Sequence, residues 1–186
     1  MRNDRAARPQ IIAFAGLPGT GKSTLAEALA RASRTPVFAS DWLMGALKPY
    51  HVFKHMDDST YGELYHGLVE SLVTRQLLMG QSAITDCVID DDTAERWARL
   101  AADHDAELRV VECVCTDLDL HRRRVEGRKR NIPNWHEIDW DHVERMRREH
   151  PPLTVDRLTV DAVDPIETNL DKVRAYLGAP APDQRS

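Results

Sequence analysis

Gly16-Leu-Pro-Gly-Thr-Gly-Lys22-Ser23-Thr24 decides how the rest of the sequence is read. It fits the spacing G-x-x-x-x-G-K-[ST] without a gap. Glycines let the backbone curl so that successive N–H groups aim at phosphate oxygens. A helix that starts at this point adds its positive N-terminal end. Gly16, Gly19, Thr20 and Gly21 supply that cradle, Lys22 reaches the outer phosphates, and Ser23 offers a hydroxyl to Mg²⁺. Thr24 either contacts a phosphate or fills space. A ligand-free turn would leave Lys22 and Ser23 unexplained, so a nucleoside triphosphate, taken as ATP with Mg²⁺, is the expected ligand. The choice between ATP and GTP stays open.

The motif needs a strand before it and a helix after it, and both are there. Gln10-Ile-Ile-Ala-Phe-Ala15 is an apolar run of buried-strand type, and Leu25, Leu29 and Ala32 recur at helical spacing over residues 22–32. Further along, residues 36–39, 82–86, 108–114 and 157–161 read as strands. Helical patterns lie between and after them at 42–47, 59–79, 93–104, 117–127, 139–150 and 165–177. Gly80 is the stop expected for the longest. Strands alternating with helices predict an α/β three-layer sandwich around a central five-stranded parallel sheet. One domain is expected over residues 10–178, with a short lid at about 128–150 and disordered tails at 1–9 and 179–186.

The 186 residues suit a single core. With 25 Lys and Arg against 30 Asp and Glu, the net charge of −5 gives no general attraction to nucleic acid or anionic lipid. No apolar run approaches the ~20 residues of a membrane-spanning helix, and no secretory leader is evident, so a cytoplasmic protein is expected. Three cysteines, Cys87, Cys113 and Cys115, fit reduced buried thiols better than a disulfide framework or a metal site. Cys113 and Cys115 alternate and should share one face of a strand. Oligomeric state is open, a homodimer included.

In an open parallel sheet, ligands sit beyond the carboxyl ends of the strands. Asp41 and Asp86 each follow a short apolar strand and should face the crevice that holds the loop. Phosphoryl transfer to an alcohol needs one carboxylate to accept the hydroxyl proton, and often a second on the metal side. Asp41 is assigned as base because residues 42–58 after it are long enough to wall an acceptor pocket, and Asp86 as the Mg²⁺-side residue. The bland reading makes Asp41 the N-cap of the next helix. Asp90, Asp91 and Asp92 read as a turn that caps a helix, with an alternative role in place of Asp86.

Arg122, Arg123, Arg124, Arg128, Lys129 and Arg130 crowd one short stretch. Arg122 and Arg123 read as a solvated helix face. Arg124 and Arg128 lie on one helical stripe and are expected over the loop, where they would stabilise the transferring phosphoryl group and contact the nucleotide. Trp135, His136 and Trp140 read first as lid packing. Tyr61, Glu63 and Tyr65 are candidate acceptor contacts, and His51 and His55 lack partners for a metal.

The loop, a strand ending in Asp41, a strand ending in Asp86 and an arginine-bearing helix before a short lid together resemble the small P-loop kinases. The pattern is most similar to the zeta-toxin and chloramphenicol-phosphotransferase-like group. Glu95-Arg-Trp97 adds to the likeness with the latter. The resemblance implies an ATP-dependent kinase of a small hydroxylated molecule, of antibiotic, sugar or nucleoside type. It supports Asp41 as the acid acting on the acceptor hydroxyl and places the adenine near residues 161–165. The acceptor region 42–65 matches no member, so the substrate does not carry over. Two other readings compete, a kinase of nucleotides or nucleic-acid ends and a regulatory ATPase; net acidity argues against the polynucleotide form, and the short chain leaves little room for the second.

Overall fold

The computed structural model describes residues 8–178. Its centre is β1 (Gln10–Ala15), in which Ile11, Ala13 and Ala15 join one buried cluster and Ile12 and Phe14 another. A strand apolar on both faces needs cover on both, and the flanking helices provide it. The other strands are β2 (Val37–Ala39), β3 (Ala83–Asp86), β4 (Glu107–Val114) and β5 (Leu158–Asp161), all parallel, in the order β2-β3-β1-β4-β5. This is the expected five-stranded P-loop kinase-like sheet.

Helices α1 (Lys22–Ser33) and α7 (Ile166–Gly178) cover one face, packing Leu25, Leu29 and Val173 on Phe14, Val111 and Val160. Fully burying a side chain such as Phe14 contributes about 1.5–3 kcal/mol. Helices α3 (Asp58–Leu78) and α4 (Asp91–Asp103) cover the other, where Val69, Val73 and Trp97 meet Ile11 and Val110. Asp57 and Asp90 N-cap α3 and α4, and Gly80 follows α3 with φ +69, the left-handed conformation of a helix stop.

Beyond the sheet's carboxyl edge lie α2 (Ser40–Leu47), α5 (Leu118–Gly127) and α6 (Trp140–Glu149). Asp117 and Asp139 cap α5 and α6 through their side chains, each worth about 1 kcal/mol. The segment 128–139 between them carries left-handed turns at Asn131 and Asn134 and folds back onto α2. A Cβ on Gly45 would stand 2.5 Å from the Pro133 carbonyl oxygen, so only glycine on α2 admits this approach. A small cluster of Val125, Trp140 and Val143, with Leu17 and Ile138, ties the lid helix to the loop after β1.

Pairing register sets the heights of the two acids. Asp86 lies opposite Phe14 of β1 on one side and opposite Ala39 of β2 on the other. Asp41, two residues beyond Ala39, therefore rises from the same edge as the glycine-rich loop.

Candidate functional site

The loop after β1 is held open by three glycines with positive φ: Gly16 at +124°, Gly19 at +88° and Gly21 at +84°. Two of them also lack room for a side chain. A Cβ on Gly16 would fall 2.2 Å from the Cys113 carbonyl oxygen, and one on Gly19 2.4 Å from the Val125 side chain. Thr20 Oγ1 and Lys22 Nζ both donate to the Leu17 carbonyl, at 2.8 and 3.1 Å, closing the loop into a ring. Lys22 is only 8% exposed. α1 starts at Lys22 with Gly21 as its cap residue and no side-chain cap, so the first amide groups of the helix stay available to an anion.

One cavity of ≈ 680 Å³ is lined by Lys22, Ser23, Asp41, Asp86, Arg128 and Arg130 together with residues of α2, α3 and the lid. Both strand-end acids and the motif's Lys and Ser thus meet in one place. Burial pushes the Asp86 carboxyl above the usual range, against the pull of Lys22 and the Ser23 hydroxyl. The set of Ser23 hydroxyl, one carboxylate and incoming phosphate oxygens suits a hard cation such as Mg²⁺, which keeps few protein ligands. Among the described residues no cluster of three His, Cys, Asp or Glu side chains could hold a metal by itself.

Asp41 lies in the first turn of α2, whose N-cap residue is Ala39, so its side chain is not the cap that the bland reading supposed. Instead Arg130 Nη1 donates to Asp41 Oδ2, and the Tyr65 hydroxyl approaches Oδ1 at 3.5 Å. Burial first, then the Asp41 charge, hold the Tyr65 phenol well above its ordinary range, so it remains a donor. Arg130 is anchored by donating through Nη2 to the His136 carbonyl at 2.8 Å and by pairing with Glu137.

A second cavity of ≈ 360 Å³ lies on the other side of the loop, lined by Gly19, Gly21, Thr24, Arg124, Ala162 and Asn169 among others. The turn after β5 borders it, where the adenine was expected. Arg124 Nη1 donates to the Ala162 carbonyl at 2.9 Å. Arg124 and Arg128 do not share a helical stripe, which corrects the sequence reading: α5 ends at Gly127 and Arg128 is already extended, with φ −92° and ψ 150°. Only Arg128 lines both cavities, whereas Arg124 borders the second alone. Arg128 Nε and Nη2 are buried without a hydrogen-bond partner among the described residues, and burial followed by Arg130 pulls the guanidinium below its ordinary value. An orphaned guanidinium at the junction is a ready receptor for phosphate oxygens.

The chain matches the family model AAA_33, described as an AAA domain, over residues 11–153. It belongs to that AAA domain family. No curated protein matches it significantly. Solved structures share the fold: a gluconokinase from Sinorhizobium meliloti 1021 (16% identity, 91% of this chain and 91% of that one, TM-score 0.67) and a shikimate kinase from Bacteroides thetaiotaomicron (19%, 93% and 100%, 0.64). A third is the APS kinase of Mycobacterium tuberculosis in complex with AMPPNP and APS (18%, 92% and 99%, 0.62). At these identities the likeness is one of fold. Among the described residues no helix of this AAA domain is long and apolar enough to cross a membrane.

Other candidate residues resolve into structure. Trp97 sits in the core and donates through Nε1 to Glu70 at 2.7 Å, so Glu95-Arg-Trp97 contributes nothing to the site. Asp90 caps α4, and Asp91 binds the backbone and hydroxyl of Thr154. Arg122 pairs with Glu126 on an exposed face. His51 and His55 are exposed, while Tyr61 and Tyr65 line the first cavity. All three cysteines are buried; burial pushes the Cys87 and Cys113 thiols up to about 12, which leaves them inert.

Sequence reasoning missed two residues. Arg130 carried only the signal of a charge run. His121 carried none, yet it is buried beneath the loop, where its Nε2–H donates to the Pro18 carbonyl at 2.8 Å. Since a carbonyl only accepts, Nδ1 is bare, and Arg147 of the lid helix donates to it at 3.1 Å. Trp140 meets the imidazole edge-on at 5.1 Å. Loop and lid are thus joined through one neutral ring.

Proposed function

We propose that this AAA domain is an ATP-dependent phosphotransferase that moves the γ-phosphate to a hydroxyl of a small molecule. The observation that carries the reading is the meeting of Lys22, Ser23, Asp41 and Asp86 in one cavity, with Arg128 shared between it and the second. The triphosphate would lie along the loop amides with its base toward Ala162 and Asn169, and its terminal phosphate would point at Arg128. The acceptor hydroxyl attacks the γ-phosphorus, the bond to the bridging oxygen of ADP breaks, and the hydroxyl proton passes to Asp41. Lys22 and Arg128 offset the charge that builds on the transferring group and its leaving oxygen. Ser23 and Asp86 would hold Mg²⁺, which neutralises phosphate charge when bound.

Arg130 and Tyr65 keep Asp41 aimed into the cavity, and the lid 128–150 shields the transfer from water. Within the family, the acid at the start of α2 favours the zeta-toxin and chloramphenicol-phosphotransferase-like group. Replacing Asp41→Asn tests the assignment: phosphate transfer should fall by roughly 10²–10⁴-fold while the ATP dissociation constant changes little. Turnover within tenfold of the parent protein would remove Asp41 from the role of base.

A further inference from the structure

The acceptor side of the larger cavity is built of rings. Trp42, Tyr61, Tyr65 and Trp135 line it, with Phe38 and Ile132 filling between them. Trp42 is 52% exposed, so part of its ring is open to a planar ligand in the cavity.

Most of its charged groups have partners; among the described residues the buried exceptions are Arg130 Nε and the Arg128 guanidinium. Arg130 is taken by Asp41, Glu137 and the His136 carbonyl. His66 donates through Nε2 to the Val88 carbonyl at 2.9 Å. Burial, then Lys48 and Arg130, hold the His136 imidazole below its ordinary value, so it is neutral near pH 7. Lys48 stands 5.7 Å from the Trp135 ring centroid and is not part of the lining. His142 accepts from Arg145 through Nδ1 at 2.8 Å. Arg128 belongs to the junction with the nucleotide cavity. Against these, the indole Nε1–H of Trp135 is buried and has no partner among the described residues.

We propose that the acceptor is an uncharged alcohol carrying a planar ring, bound between Trp42, Tyr61, Tyr65 and Trp135. An oxygen of the ligand accepts from Trp135 Nε1, and its hydroxyl stands at Asp41; that last placement rests on the phosphotransferase reading. A carboxylated polyol fits poorly on two counts. Its charge would find Arg130 paired with Asp41 and Glu137 and Arg128 turned to the phosphate, and its several hydroxyls would outnumber the few donors that the rings supply. A neutral ring loses little on desolvation and gains offset or edge-on contacts.

Four probes decide it: 4-nitrobenzyl alcohol, thymidine, gluconate and shikimate. Their binding to the protein saturated with AMPPNP is measured by calorimetry, and their phosphorylation with ATP is followed by mass. The expected result is that at least one neutral ring alcohol binds roughly tenfold or more tighter than either acid. Trp135→Phe keeps a ring but loses the donor; it should weaken that alcohol about three- to tenfold and leave AMPPNP affinity unchanged. Equal or tighter binding of gluconate or shikimate overturns the proposal, and so does no binding of either ring alcohol. Selective binding of a ring alcohol that then never gains phosphate supports the pocket assignment and counts against the transfer reading, so the two fail separately.

Discussion

Gly16→Ala should harm this protein in a way that can be worked out from one distance. A methyl group at residue 16 would stand 2.2 Å from the Cys113 carbonyl oxygen, and φ there is +124°. The obstructing atom is backbone of β4, which is pinned on both sides by β1 and β5, so it cannot step back. The strained φ costs about 1–3 kcal/mol, and forcing the methyl group into packed space about 1–3 kcal/mol more. Together these give roughly 2–6 kcal/mol if the loop keeps its shape, or about 4–24 °C in Tm for a chain of this size. If the loop moves to relieve the clash, the stability loss shrinks but the amide cradle is lost, and ATP affinity should fall by roughly 100-fold or more. Gly67→Ala is the counter-test, because it lies inside α3 with nothing within 4 Å of its Cβ position. It should raise stability by about 0.5–1 kcal/mol. Thermal melts with and without ATP·Mg²⁺, and calorimetry of ATP binding, read both effects. A Gly16→Ala protein with parental Tm and parental ATP affinity would refute the reasoning, since strain must appear in one or the other.

Two further outcomes can be checked with the same preparations. Lys22→Ala should weaken ATP·Mg²⁺ binding by roughly 100-fold while the melt without nucleotide shifts little; calorimetry showing parental affinity would dismiss the cradle as a triphosphate site. The pH dependence should report His121. Burial foremost, then Arg147, Lys22 and Arg128, keep its imidazole below 6.5 despite the Pro18 hydrogen bond. The unfolded chain therefore takes up the proton first, so stability is lost as pH falls below about 6.5 and the loss grows until the folded-state imidazole titrates. Because His136 acts in the same direction, the telling measurement is the difference: Tm between pH 7.5 and 5.5 should fall less steeply in His121→Gln than in the parent. Parallel slopes would show that the ring does not titrate as described.

The parts of this molecule that were legible in advance rest on short-range patterns. Gly16 to Ser23 could be read because curling and phosphate contact demand those residue types at that spacing. Asp41 and Asp86 could be placed because a parallel sheet puts every strand's end on one edge. What escaped depends on contacts distant in sequence. Arg130 finds Asp41 only after Asn131 and Asn134 turn the lid back and Gly45 lets Pro133 settle on α2. Nothing in the local composition distinguishes it from Lys129. The stripe assumed for Arg124 and Arg128 failed at Gly127, where the helix ends one residue too soon. Glu95-Arg-Trp97 added to a family likeness, but sequence carries no depth; the fold puts Trp97 under α3, bonded to Glu70.

On the proposed reading, the order β2-β3-β1-β4-β5 puts the nucleotide's pocket beside β5 and the acceptor's beside β2, with β1 and its loop as the frontier. The acceptor side is furnished mainly by the stretch from β2 to the start of α3 and by the lid, both grafted beyond the sheet edge. On that reading, exchanging those two inserts would change what is modified without touching the cavity beside β5. Such a division makes this scaffold modular, and chimeras that exchange residues 42–66 together with 130–146 are the natural way to transplant one acceptor preference onto another member.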